Sequence, residues 1–527
     1  MATEISNRIS LGLDADKPYK ICTIKDLNVN AATGIDNLSG KFIPQNLDLL
    51  IDDITFLINQ SLSLGEFPDS LKIAKVIPLH KSGSKEELRN YRPISILPFL
   101  SKIFEKIMYK QLVKHFEEKN LFTNSQFGFR KKKNTNDALV KFLDQVHTVK
   151  GNDPVVSVQF DFTKAFDLID HQILLKKLKY YGVNGSANKL LAAYLRDRCQ
   201  ITEIWHNGKP YKSEKKYTNI GVPQGSILGP LLFIIYINDL PNVMKNFSNN
   251  LHIVIYADDT NIILWGENIL DRLYSMFVVF SDWCSVNKLV INYSKTCIIN
   301  FSPNIIFFEY FKFKNTYVSV TISNKYLGLI VDDSFRWTNQ ICSLAAKLNS
   351  CTFAIRNLVK FVNIQAAKSM YYANFQSLLS YGITLWGDSS LADTLLLTQK
   401  RVIRIIDNKP RNFHCKELFK KHGILTVVNL FVFELMKIAI KNGFLQCEEM
   451  QPKHAYETRH AFHNQEKKAN NRSNTCKDKA IAIFNRLSIT QRLILKEKGP
   501  REFLTLLKTK LVENPHYSLK HLLENPV

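Results

Sequence analysis

The sequence predicts an α+β fold in which a predominantly antiparallel sheet is followed along the chain by helices. Residues 155–162 alternate between two faces, as a strand does. Residues 253–264 place two β-branched runs around a pair of acids, which is typical of a β-hairpin. Helical periodicities lie between these segments and replace the strand patterns from about residue 335. We therefore expect a β-α-β-β-α-β layer followed by a helical region.

The remaining elements are predicted from apolar spacing and capping residues. Ser101 and Asp170 are predicted N-caps, and Gly182 is a predicted helix end. Apolar residues at helical spacing predict helices over residues 47–62, 101–116, 170–182, 229–240, 270–287, 339–360, 364–379, 391–406, 424–442, 479–487 and 500–512. Further β-structure is predicted at 74–78, at 289–292 and in a hairpin around Asn207-Gly208.

The composition favours a polyanionic partner. Lys and Arg number 70 against 47 Asp and Glu, which gives a net charge of +23 and a pI near 9.4. The excess is spread over most of the chain, so nucleic acid is the favoured partner and a solvated cationic surface is the alternative interpretation.

Cysteine usage and hydropathy bear on location. The nine cysteines are widely spaced without a C-x-x-C pair, which favours reduced thiols in an intracellular protein. The longest apolar run, 231–237, is far shorter than the roughly 20 residues of a membrane span, and residues 1–10 lack a secretory pattern. We expect a nuclear and cytoplasmic protein with no membrane partner. A zinc site is disfavoured because the spacings match no compact pattern in the set Cys447, His454, His460, His463 and Cys476.

Three carboxylates mark a candidate catalytic and metal site. Asp258 and Asp259 lie at or beside the tip of the predicted hairpin, and Asp161 ends a strand about a hundred residues earlier. Because adjacent carboxylates repel each other, a divalent cation between them and a polyanionic substrate would explain the pair. The three acids suit two Mg²⁺ ions, or Mn²⁺, held about 3.5 to 4 Å apart for phosphoryl transfer. A solvated turn is the alternative interpretation of the pair alone.

A basic loop precedes the helix that begins near Asp137. It joins Phe127 and Phe129 to four successive cations, Arg130, Lys131, Lys132 and Lys133. Aromatic rings beside cations suit base stacking and phosphate contact, so we predict nucleic-acid binding here. A solvated lysine face is the alternative.

Seven short segments follow one another along the chain: NYRPIS (90–95), QFGFR (126–130), FD with AFD (160–167), GVPQGS (221–226), YADD (256–259), NYSKT (292–296) and KYLG (325–328). Together they resemble the reverse transcriptases of non-LTR retrotransposons, most closely the jockey-type mobile elements of insects. The resemblance implies a right-hand polymerase that copies RNA into DNA. It further implies an N-terminal extension (1–70), fingers (71–150), an antiparallel palm with the catalytic acids (151–330), a helical thumb (331–445) and a basic helical C-terminal region (446–527).

The resemblance also implies roles for single residues. Asp161, Asp258 and Asp259 would be the catalytic and metal-binding acids, with Asp259 the more supporting member. Phe166 would wall the sugar pocket and exclude a 2′-hydroxyl. The other nucleotide-binding residues would be Gln224, Arg92, Lys81 and Lys295, and the primer grip would be Tyr326, Leu327 and Gly328.

The implied partners are template RNA, primer or target DNA, and dNTPs. Members of this family normally carry an endonuclease ahead of the polymerase, so we expect a separate endonuclease or a truncated copy. Two rival hypotheses stay open at this point. One is another palm enzyme, either an intron-type reverse transcriptase or an RNA-dependent RNA polymerase; the other is a decayed product that binds RNA without catalysis.

Overall fold

The computed structural model describes residues 27–30, 32–149, 153–302, 309–445 and 475–524. Its α-helices are α1 (Phe42–Gln45), α2 (Leu47–Leu64), α3 (Phe99–Glu118), α4 (Thr135–Val149), α5 (His171–Tyr180), α6 (Gly185–Leu195), α7 (Gly229–Tyr236), α8 (Leu240–Phe247), α9 (Ile269–Val286), α10 (Thr338–Leu358), α11 (Ile364–Met370), α12 (Ser377–Ser380), α13 (Ile383–Trp386), α14 (Ala392–Ile406), α15 (Lys416–His422), α16 (Val427–Lys441), α17 (Cys476–Phe484), α18 (Ile489–Glu497), α19 (Pro500–Glu513) and α20 (Leu519–Glu524). Its strands are β1 (Ile73–His80), β2 (Tyr91–Ile96), β3 (Val155–Phe160), β4 (Arg198–His206), β5 (Lys209–Lys212), β6 (Lys216–Thr218), β7 (Leu251–Tyr256), β8 (Asp259–Trp265), β9 (Cys297–Asn300), β10 (Tyr310–Phe313), β11 (Thr316–Thr321), β12 (Ser323–Tyr326) and β13 (Leu329–Asp332). The predicted α+β class is confirmed.

The described residues divide into two compact units. The first unit contains the described residues within Met1–Lys133, Phe160–Thr260 and Leu270–Thr296. The second unit contains the described residues within Asn134–Gln159, Asn261–Ile269 and Cys297–Val527. The predicted limits of the extension, fingers, palm, thumb and C-terminal region stay a prediction.

A mixed sheet lies in the first unit, with the strand order β2-β1-β4-β5 and β6 added to β4. Strand β1 pairs antiparallel with β2 and parallel with β4. The predicted turn between β4 and β5 is present: Asn207 and Gly208 both have positive φ (49° and 74°), as a type I′ hairpin requires.

Helix α3 lies in the first unit, and its predicted apolar face is buried. This face consists of Ile103, Phe104, Ile107, Met108, Leu112 and Phe116. The predicted N-cap at Ser101 is wrong. Pro98 (φ −49°, ψ 145°) is the last extended residue, so the helix starts at Phe99 and Ser101 is buried in its first turn. The predicted cap at Asp170 is confirmed, because its side chain accepts a hydrogen bond from the Ile173 N–H.

The predicted strand at 289–292 is wrong. This stretch makes a single antiparallel bridge, between Ile291 and Phe162, and then turns. The turn is closed by the N–H groups of Lys295 and Thr296, which both donate to the Asn292 carbonyl, and the next strand is β9.

Strands of the second unit lie in the order β10-β11-β9-β3-β8. Strand β3 pairs antiparallel with β9, and β9 pairs parallel with β11. Every residue of β3 is buried, so its polar side chains need partners. The Ser157 hydroxyl donates to Asn261, and Gln159 accepts from Asn324.

Beyond β13 the described residues contain helices and no further strand, as predicted. The segment predicted as one helix at 364–379 is α11 and α12 joined by a π-helical turn, Tyr371–Gln376. Helices α13, α15, α18 and α20 were not predicted. The residues of the disfavoured zinc set lie outside the described residues except Cys476, and all described cysteines are free thiols.

No single helix of the described ranges has the length and apolarity of a bilayer span. The pair α15 and α16, bent by 46°, has them only when taken together.

Candidate active site

The two adjacent acids lie where the predicted hairpin turns. Strand β7 ends at Tyr256, Ala257 and Asp258 form the turn, and Asp259 begins β8. Ala257 has a left-handed φ of 57°, which only a strongly held backbone keeps. Buried Gln126 holds it, since its Oε1 accepts from the N–H of Ala257 (3.0 Å) and of Gly128 (2.8 Å).

A short extended segment runs beside β7 and supports this turn. The Phe127 N–H donates to the Ile255 carbonyl, and the Ile255 N–H donates to Ser125, both at 2.8 Å. A Cβ on Gly128 would lie 2.3 Å from the Ala257 nitrogen, so only glycine fits. The sequence contains this QFGFR segment as a motif, but its supporting role needed the fold.

Asp161 follows β3 directly and is fixed by the 292–296 turn. The Asn292 Nδ2 donates to Asp161 Oδ2 (2.9 Å), and the Asn292 N–H donates to the Asp161 carbonyl (2.8 Å). Lys295 Nζ lies 3.8 Å from Asp161 Oδ2. Sequence reasoning selected Lys295 here and missed Asn292, which makes the closer contact.

The charges of the three acids act on one another. Burial and then Asp161 raise the pKa of Asp258, whereas Lys81 and Arg92 lower it. Burial, Asp258 and Asp161 together raise the pKa of Asp259 to about 6. Asp161, Asp258 and Asp259 therefore lie within electrostatic reach of one another, and Lys81 and Arg92 lie within electrostatic reach of Asp258.

The donor set suits a hard divalent cation, because three carboxylates that repel one another are stabilised by such an ion. In the described residues no three His, Cys, Asp or Glu side chains already converge closely enough to hold a metal ion.

The predicted nucleotide contacts Phe166 and Gln224 lie on neighbouring segments. Gln224 Nε2 donates to Asp167 Oδ1 (2.9 Å), and the Val222 N–H donates to the Phe166 carbonyl (2.9 Å). The half-buried Phe166 ring packs on Phe233, with centroids 4.8 Å apart. Residues 221–224 thereby form a wall beside the strand-end segment that carries Asp161.

This wall borders a cavity of about 490 Å³. Ser95, Lys164, Asp167, Arg198 and Gln224 contribute to its lining. The Ser95 N–H donates to the Gln224 carbonyl (2.7 Å). Strand β2, which also carries Arg92, therefore contacts the loop of residues 221–227, the Gln224 loop.

A buried carboxylate that the sequence did not indicate anchors the far end of this loop. Glu105 of α3 accepts from the Ile227 N–H and from the Tyr194 hydroxyl, both at 2.7 Å. Burial raises its pKa, and those two hydrogen bonds and Arg198 oppose the rise. Glutamate on a helix face gave no signal, because its partners come from distant parts of the chain.

The basic loop divides into two kinds of residue. Arg130 pairs with Glu117 (2.9 Å) and lies over the Phe122 ring, and Lys133 donates to the Gln126 carbonyl (3.0 Å). These two side chains stabilise the loop, whereas Lys131 and Lys132 are exposed. The nucleic-acid role of the loop stays a prediction.

The predicted primer-grip residues lie in the second unit. Leu327 and Gly328, with φ of 44° and 89°, form the turn between β12 and β13. Tyr326 is buried against Phe142, and the Tyr381 hydroxyl donates to the Leu327 carbonyl. Their role also stays a prediction.

Residues 79–331 match the family model of the reverse transcriptase (RNA-dependent DNA polymerase). The chain carries a reverse transcriptase domain. All seven segments found in the sequence fall within the matched stretch, and so do Asp161, Asp258 and Asp259. The predicted polymerase fold class and the resemblance to this family are confirmed.

Curated relatives agree with the domain. The RNA-directed DNA polymerase from mobile element jockey of Drosophila melanogaster is 24% identical over 73% of this chain and 43% of that protein. The probable polymerases from transposon BS and the X-element of the same fly are each 26% identical, over 73% and 76% of this chain and 44% and 46% of those proteins. The chain spans less than half the length of these relatives. Among solved structures, telomerase from Candida albicans matches with a TM-score of 0.37 and 13% identity over 70% of this chain and 60% of that one.

Proposed function

We propose that the chain is the RNA-directed DNA polymerase of a non-LTR retrotransposon and extends a DNA 3′ end on an RNA template. The observation that carries the proposal is the grouping of Asp161, Asp258 and Asp259 in the first unit, with cations of the matched domain beside them. The jockey-type relatives support the retrotransposon origin. The intracellular location stays a prediction.

The residues present suit two-metal nucleotidyl transfer. Asp161 and Asp258, with Asp259 in support, would hold two Mg²⁺ ions. These ions would lower the pKa of the primer 3′-hydroxyl and neutralise the charge of the departing pyrophosphate. Lys81 and Arg92 would bind the triphosphate, and Lys295 would assist pyrophosphate departure. Phe166 would exclude a 2′-hydroxyl, and Gln224 would contact the incoming nucleotide.

Primer extension by the purified chain tests the proposal on matched RNA and DNA templates with a DNA primer. Asp161→Asn and Asp258→Asn should each lower dNTP incorporation by about 100-fold or more, because each removes a charge that stabilises the transferring group. Asp282→Asn, an exposed acid on α9, is the matched control and should leave incorporation unchanged.

Unchanged incorporation in both acid variants would reject the assignment. Salt-dependent RNA binding by the wild type without incorporation at any Mg²⁺ concentration would favour the decayed, RNA-binding alternative. That alternative has some support from the net charge of +23.

A further inference from the structure

The β4–β5 hairpin of the first unit exposes apolar side chains on both faces. Ile204 and Trp205 are neighbours on β4 and so point to opposite faces, yet they are 53% and 63% exposed. Tyr211, opposite Ile204, is 58% exposed, and every residue of β5 is exposed. A two-stranded ribbon has no core of its own in which these large side chains could be buried. Their exposure therefore points to a binding partner.

The charge on this ribbon indicates an anionic partner. Between His206 and Tyr217 the chain carries four lysines, at 209, 212, 215 and 216, against the single acid Glu214. The other nearby acid, Glu203, is buried and pairs with Lys75 and Lys212, each at 3.7 Å. Glu203 also orients the Trp205 ring, since Trp205 Nε1 donates to Glu203 Oε1 (3.3 Å).

The ribbon is continuous with the candidate active site. Strand β4 begins at Arg198, which lines the cavity together with Gln200, Tyr217 and Gln224. Arg198 is 3% exposed; its Nη1 donates to the Tyr194 carbonyl, whereas its Nη2 has no acceptor among the described residues. The unused donor favours a hydrogen-bond acceptor beside Arg198, whose charge also acts on Glu105. A strand that leaves the Gln224 loop through the cavity would reach the ribbon.

We propose that the β4–β5 hairpin, with the cavity at its base, binds the single-stranded part of the template RNA that has not yet been copied. The proposal rests on the proposed function, which requires such a strand to enter beside the nucleotide site. Trp205 and Tyr211 lie on opposite faces of the ribbon, so an unpaired strand that crosses its β5 edge can stack one base on each ring while the lysines contact phosphates. A duplex keeps its bases stacked inside and would use only the cations, so the exposed rings favour a single strand.

Binding and extension on two primer–templates test this proposal. Both have the same RNA–DNA duplex, and the RNA template extends 2 or 15 nucleotides beyond the primer 3′ end. The double variant Trp205→Ala/Tyr211→Ala should raise Kd for the long overhang by about tenfold and leave the short overhang unchanged. Lys209→Ala/Lys216→Ala should lower the slope of log K against log salt by about 1.4 for the long overhang only. The triple variant Lys176→Ala/Lys179→Ala/Tyr180→Ala removes exposed residues of the same kinds from α5 and should behave as wild type on both.

A wild-type extension rate on the short overhang shows that each variant is folded. Equal weakening on both overhangs would place the contact on the duplex and overturn the proposal, and so would unchanged binding of the long overhang. If the variants instead lose only self-association, measured by sedimentation without RNA, the ribbon is a protein interface and the proposal is wrong. Failure of the proposed function is distinguishable, because it would abolish wild-type incorporation whether or not binding depends on overhang length.

Discussion

Replacing Glu105 with alanine would test whether this buried carboxylate positions the Gln224 loop. The substitution leaves the Ile227 N–H and the Tyr194 hydroxyl without their acceptor in the protein interior. An unsatisfied buried donor costs about 1–3 kcal/mol, so the two together should lower the free energy of unfolding by about 2–6 kcal/mol. We also expect the loop to move, because Ile227 lies three residues after Gln224.

Glu105→Gln separates the hydrogen bonds from the charge. The amide oxygen can still accept from the Ile227 N–H, and the amide nitrogen can donate to the Tyr194 oxygen. Burial raises the pKa of Glu105, so its ionisation costs stability as the pH rises from the unfolded pKa through the folded pKa. Glutamine removes that cost, and we expect it to change the free energy of unfolding by no more than about 1 kcal/mol.

Urea denaturation and steady-state incorporation would measure both effects. For Glu105→Ala we expect KM for dNTP to rise about tenfold, which corresponds to about 1.4 kcal/mol of lost nucleotide binding, with a smaller change in kcat. Glu105→Gln should restore KM to near the wild-type value. If alanine and glutamine give the same KM and the same stability, the positioning argument is refuted.

Three further substitutions give distinct outcomes. Phe166→Ala should relax discrimination between rNTP and dNTP in competition assays; undiminished discrimination would remove the sugar-pocket role. Gly225→Ala should lower incorporation at least tenfold, because φ is +118° and a Cβ would lie 2.5 Å from the Ser95 carbonyl oxygen. Gly185→Ala, which also has a positive φ (+58°) but no atom within 4 Å of the added Cβ, is the control for that contact. Burial raises the pKa of Asp144 to about 6, so wild-type stability should fall as the pH rises from about 4 to about 6. Asp144→Asn still accepts from the Cys476 N–H and, allowing for partial exposure, should raise the free energy of unfolding at pH 7 by about 1–2 kcal/mol in urea titrations and flatten this dependence.

Local patterns sufficed for the elements that carry the acids. Two β-branched runs around Asp258-Asp259 can form little other than a hairpin, and the apolar stripe of α3 has a helical period that its burial follows. The error at 289–292 has the same local origin. Leu289, Val290 and Ile291 are good strand formers, but the Asn292 carbonyl closes a turn that ends their pairing after one bridge.

The supports of the site could not be predicted from local sequence, because their partners are distant in the chain. Gln126 reaches Ala257 across 131 residues, and Glu105 reaches Ile227 across 122. Each has an aromatic residue on one side and a polar residue on the other, a pattern that fits a solvated side chain equally well. Arg130 is the opposite case. Its basic run predicted nucleic-acid contact, but its side chain pairs with Glu117 and supports the loop.

We also predict different roles for Asp258 and Asp259, which the sequence left open. Asp258 is a half-buried turn residue whose pKa responds to Asp161, Lys81 and Arg92. Asp259 is the more exposed residue of the two, although burial of its carboxyl group and its two acidic neighbours still raise its pKa. A metal-bound triphosphate must lie close to the acids and to both cations at once, which favours Asp258 as the ligand and Asp259 as a supporting charge. Asp258→Asn should therefore lower incorporation by about 100-fold or more, and Asp259→Asn by about tenfold, in the same primer-extension assay. Equal losses in the two variants would contradict this order and make Asp259 a ligand of equal weight.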